Sequence, residues 1–147
     1  MMFDFILDEG VGNLKFKMTK NEVVQILGIP NEVIIDEYKS SALHYDGFVI
    51  HYDEYDMFES FFLDQLSFLG ITIKIGQTDF FELTQILEQY YSKKNLEYDI
   101  AISPYCDLDR MINFARIGLT AWIEEDIVND ICVSLRHFST LRRYLPC

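Results

Sequence analysis

The sequence predicts an α+β protein: two tandem α/β repeats forming an antiparallel sheet, with helices packed on one face and the other face available for binding. Three observations carry that expectation. The chain echoes itself in order. Leu14-Lys15-Phe16-Lys17-Met18-Thr19, followed by Gln25-Ile26-Leu27, returns as Ile73-Lys74-Ile75-Gly76-Gln77-Thr78, followed by Gln85-Ile86-Leu87; the segment from Gly47 to Glu54 returns as Gly118 to Glu125. Each half sets one stretch of helical apolar spacing before several short alternating runs broken by turn residues. Finally, 147 residues, 50% hydrophobic and 15% aromatic, suffice for a core of ordinary size and exclude intrinsic disorder.

The elements follow in order. The chain reads as irregular up to Gly12 or Asn13. Thr19 with Glu22 three residues on makes a capping box for a helix whose stripe is Val23, Val24, Ile26 and Leu27. Gly28 and Pro30 end it, since glycine suits the position past a helix and proline cannot continue one. Residues 32–38 and 42–46 read as strands joined through Lys39-Ser40-Ser41. Gly47 turns into a strand over 48–52, Asp53 to Asp56 form a polar tip, and 57–63 form the next strand. Gln65 to Gly70 reads as a short apolar linker. In the second unit Thr78 is expected to cap a helix containing Phe81, Leu83, Ile86 and Leu87 and running to about Tyr90. Strands are expected at 98–103, 111–116, 119–123 and 127–135, with Glu124-Glu125-Asp126 as the last tip. The units divide at 1–66 and 67–147 and are expected to form one compact body.

Strand alternation assigns the faces. Phe48, Ile50 and Tyr52, and in the second unit Leu119, Ala121 and Ile123, form the better core face, which the helices are expected to cover. The other face then shows His51 and Trp122, at matching strand positions, with Tyr38, His44 and Phe62. An aromatic sheet face left in water suggests a binding surface.

The net charge is −12, and all 24 acids precede residue 136, whereas Arg136, Arg142 and Arg143 follow. Such a field repels nucleic acid and anionic membranes and speeds encounter with a basic partner; plain solubility is the competing explanation. No apolar run approaches the ~20 residues of a membrane helix. The first residues include early acids and no basic region, so no secretory signal is read and a cytoplasmic location is expected. Cys106, Cys132 and Cys147 are odd in number and lack metal-ligand spacing, which suits ordinary thiols in a reducing compartment.

No phosphate loop, nucleophile elbow or zinc signature is present. His44 and His51 on adjacent strands form a weak metal pair, since ligation usually needs three or four convergent groups. Cys106 with His137 or His44 is a thiol–imidazole pair that nothing brings together. Asp107 and Asp109, or Asp53, Glu54 and Asp56, lack the glycine and distal glutamate of a calcium loop, and hairpin tips favour aspartate anyway. No cofactor, metal or catalytic residue is therefore assigned.

The run Phe16-Lys17-Met18-Thr19 through Leu27-Gly28-Ile29-Pro30 resembles a motif of the β-lactamase-inhibitor-protein-like fold, shared with small outer-membrane assembly lipoproteins: an apolar residue, Gly, Met, Thr or Ser, then a helix ending Leu-Gly-x-Pro. Lys17 stands where that motif has glycine. Ile75-Gly76-Gln77-Thr78 keeps the glycine and lacks the methionine and the Leu-Gly-x-Pro. The segments of glycine, strand and acidic tip are similar too. The resemblance implies a tandem repeat whose helices back a curved antiparallel sheet and whose aromatic face grips a protein. Secreted inhibitors of this type carry a signal and paired cysteines, and the lipoproteins a lipidated cysteine. None of these is read here, so the expectation moves away from export and envelope assembly.

The expected function is a non-catalytic, protein-binding inhibitor. Its best instance is an immunity protein that blocks a basic bacterial toxin by steric occlusion. The expected contact residues are Tyr38, His51, Asp53, Glu54, Trp122, Glu124 and Glu125. The alternatives are a small-molecule or enzymatic site in a cleft between the units, and an assembly scaffold.

Overall fold

Three short strands come first, β1 (Phe5–Ile6), β2 (Gly10–Val11) and β3 (Leu14–Lys15), paired antiparallel in that order, and the first two lie where the sequence suggested irregular structure. Strands of two residues are too short to show any periodicity. Gly10 allows the close crossing there, since a Cβ on it would lie 1.9 Å from the Leu14 carbonyl oxygen. The computed structural model describes residues 4–7, 9–68, 71–102 and 109–134.

Helix α1 (Lys20–Leu27) starts at the expected capping box. The Thr19 hydroxyl accepts from the Glu22 amide at 3.2 Å, and the Glu22 carboxylate accepts from the Thr19 amide at 3.3 Å. A four-strand antiparallel meander follows: β4 (Glu32–Ile35), β5 (Ser41–Tyr45), β6 (Phe48–Tyr52) and β7 (Phe58–Leu63). The first turn is longer than expected because Asp36 shapes it, its Oδ1 accepting from the amides of Tyr38 and Ser40, both at 2.9 Å.

The segment read as a linker is instead a hairpin. β8 (Gln65–Phe68) pairs with β9 (Ile71–Lys74), and Leu66 and Ile73 face each other in the core. Its apolar character reflects burial, not a short tether. Helix α2 (Phe80–Glu88) starts one residue later than expected. Its cap is Asp79, whose carboxylate accepts from the Glu82 amide at 2.7 Å. Thr78 serves the preceding turn, accepting from the Lys74 amide at 3.0 Å. A second meander follows: β10 (Asp99–Ile102), β11 (Asp109–Phe114), β12 (Leu119–Glu124) and β13 (Ile127–Val133).

The two meanders form one eight-stranded sheet in the order β10-β11-β12-β13-β7-β6-β5-β4. The seam is antiparallel and short, pairing Cys132 with Phe62 and Val133 with Phe61. The halves share local detail. Gly47 and Gly118 both have positive φ and open β6 and β12. The Gly47 carbonyl accepts from Asp64, and the Gly118 carbonyl from Ser134. The register shifts after His51 of β6 and after Trp122 of β12, where β7 and β13 each carry one extra residue, Glu59 and Asn129.

The expected core face is the observed one. Phe48, Ile50, Tyr52, Leu119, Ala121 and Ile123 are buried in one cluster with Val23 of α1 and Leu83 and Leu87 of α2. Burying each large apolar side chain contributes roughly 1.5–3 kcal/mol. Tyr52 is fully buried yet satisfied, because its hydroxyl donates to the Met18 carbonyl at 2.9 Å. Burial and the nearby Tyr45 and Glu22 push its pKa up.

Candidate functional site

The sheet face opposite the helices is built from alternate residues of the central strands. Phe62 sits at its middle, beside the seam. The His51 ring meets it edge-on with centroids 4.9 Å apart, and the Trp122 ring tilts against it at 5.4 Å. The two aromatics singled out from the sequence therefore do share one face, linked through Phe62. That face is not uniformly open, as the alternation had suggested. Its β11–β13 half is closed: Met111, Thr120 and Cys132 are buried, and the Thr120 hydroxyl donates to Asn113 Oδ1 at 3.0 Å. On the β5–β7 half Ala42 and Ser60 are buried as well, while His44, Val49, His51 and Phe62 stay half-exposed.

The acids expected beside these aromatics do not gather there. β6 and β7 meet at one end of the sheet, where Asp53 and Glu54 lie. β13 runs antiparallel to β7, so the β12–β13 turn with Glu124 and Glu125 lies at the opposite end. Asp53 is also engaged by its own turn, with Oδ1 accepting from the amides of Tyr55 and Met57. Asp56, beside it, pairs with Lys20 at 2.6 Å. Tyr38, in the β4–β5 turn, falls at the same end as Asp53 and is 69% exposed.

Two features lay outside the sequence reading. The first is the exposure of β4, a strand the sequence did suggest. It is the edge of the sheet, and Val33, Ile34 and Ile35 are all exposed, Ile35 by 67%. Ile29, just before it, is 87% exposed. The run of three β-branched residues was the available signal, because a strand covered on one face should alternate. The second is an open cavity of about 420 Å³ at the seam, on the face opposite the helices. His44, Val49, His51, Phe62, Asp64 and Asp130 are among its walls. Burial raises the Asp130 pKa to about 6; the Ile131 amide donating at 2.9 Å opposes the shift and Asp64 adds to it. The folded state thus disfavours the carboxylate. Stability from this residue is full below the unfolded value of 3.8 and is lost as pH rises through about 6.

Among the described residues no group of three His, Cys, Asp or Glu could hold a metal ion, and His44 with His51 remains only a pair. Among them, too, no helix is long and apolar enough to cross a membrane. Cys132 is buried, whereas Cys106, Cys147, His137, Asp107 and the arginines at 136, 142 and 143 lie outside the described residues. No family model, curated protein or solved structure matches this chain.

Proposed function

We propose that this protein is a non-catalytic inhibitor that binds another protein, in the manner of an immunity protein occluding a basic bacterial toxin in the cytoplasm. One observation carries the reading: the β4 edge exposes Val33, Ile34 and Ile35 next to exposed Tyr38, on a chain of net charge −12. An unprotected apolar edge strand is a template for pairing with a second polypeptide. Tyrosine is a common anchor of interfaces, and the negative field steers a basic partner toward it. The contact surface is therefore Tyr38 with β4, extending over the half-exposed His44 toward His51. Trp122, Glu124 and Glu125 would lie beyond its far side.

The likeness to the β-lactamase-inhibitor-protein-like fold supports the same reading, as does the order of elements. We read each helix and its meander as one copy of a duplicated unit. The matching glycines and the register shifts after His51 and Trp122 favour that duplication.

The test is capture from the native cell extract at low and high salt, using the tagged wild type and Ile35→Arg. A stoichiometric basic protein, held at low salt, weakened at high salt and lost by Ile35→Arg, is expected. Capture unaffected by Ile35→Arg would move the contact elsewhere, and no protein at either salt would overturn the reading.

A further inference from the structure

We propose that the seam cavity receives the guanidinium of an arginine side chain supplied by the bound partner. The inference rests on the protein-binding reading above and gives that contact its specificity. The cavity joins two chemistries. Asp64, at the end of β7, and Asp130, on the neighbouring β13, supply carboxylates, while Phe48, Val49, Phe62 and Leu63 supply apolar walls. That is the shape of an arginine, an apolar stem carrying a charged head. The planar head suits two carboxylates and the faces of rings better than an ammonium does.

The chain supplies no such cation itself among the described residues. Their ion pairs are Lys15–Glu9, Lys20–Asp56 and Arg116–Glu97, and none involves Asp64 or Asp130. The cavity volume of about 420 Å³ falls in the range of ligand sites. Burial, with a contribution from Asp64, disfavours the Asp130 carboxylate in the isolated protein, and a cation in the cavity relieves that cost. Binding therefore favours ionised Asp130 and strengthens as pH rises through about 6. The titratable groups that line the cavity with Asp130 are His44 and Tyr45 from β5, His51 from β6 and Asp64. Because other titratable groups share the cavity, the aspartate must be tested separately.

The experiment titrates the full-length, ¹⁵N-labelled protein with N-acetyl-arginine methylamide and with the uncharged citrulline analogue, following backbone amide shifts. We expect saturable shifts at Gly47, Asp64 and Asp130 with the arginine probe only, with a dissociation constant on the order of millimolar. Binding should weaken at pH 5 and fall at least about tenfold in Asp130→Asn. That variant should melt no lower than wild type at pH 7.5, which shows that it is folded. Equal binding of the citrulline probe, undiminished binding by Asp130→Asn, or no saturable shift would overturn the cation pocket. Partner capture without arginine binding would overturn the pocket alone. Arginine binding by a protein that captures no partner would overturn the partner as its source.

Discussion

Lys17 adopts φ 69 and Gly76 adopts φ 79, at matching places in the two echoed segments. Both turns require the left-handed region, which glycine enters without penalty and a lysine does not. Lys17 is exposed, and nothing lies within 4 Å of a Cβ built on Gly76, so side-chain contacts barely enter. Lys17→Gly should therefore stabilise the protein by about 0.5–1 kcal/mol, and Gly76→Lys should destabilise it by about 1 kcal/mol. Urea midpoints at constant slope measure both; a destabilising Lys17→Gly would mean that the turn strain is illusory. The requirement at residue 76 was legible as a glycine in a motif, and that at residue 17 only as a departure from it. The burial of Asp130 was not legible at all. Phe62 and Asp64, which line one cavity with it, are far away in sequence and are brought to the same place by the seam.

Capping separates what local sequence determines from what it leaves open. Thr19 and Glu22 form a reciprocal pair that fixes the start of α1, and the reading of that start was right. Before α2 two good caps stand side by side, Thr78 and Asp79, and the echo favoured the wrong one. The choice is made by the turn after β9, which uses the Thr78 hydroxyl for the Lys74 amide and leaves Asp79 to the helix. Asp79→Ala should cost about 1 kcal/mol and speed hydrogen exchange at the Glu82 amide. Thr78→Ala should cost a similar amount, about 1 kcal/mol, and act on the Lys74 amide instead. The reverse pattern in exchange data would restore Thr78 as the cap. The β8–β9 hairpin was missed for a related reason: two four-residue strands so close in sequence look like an apolar tether unless their pairing is known.

At the scale of the molecule, the sheet poses a question of cooperativity. Among the described residues the meanders meet through two residue pairs between β7 and β13, a narrow bridge for an eight-stranded sheet. If the backbone ladder alone joined them, each half would melt separately. Packing argues otherwise. The buried cluster draws Ile50, Phe61 and Leu63 from one half and Ala121, Ile131 and Val133 from the other, while Leu66 and Ile73 of the connecting hairpin belong to it as well. Removing either half would expose apolar surface on the other, each large side chain forfeiting roughly 1.5–3 kcal/mol of burial. Domains under 150 residues with one core ordinarily unfold in a single step. Scanning calorimetry should accordingly give one transition whose calorimetric and van't Hoff enthalpies agree. Two resolved transitions would make each helix and meander an independent folding unit. A cavity walled by both halves would then open whenever either one melts, so the same scan decides whether the seam site is as stable as the whole protein.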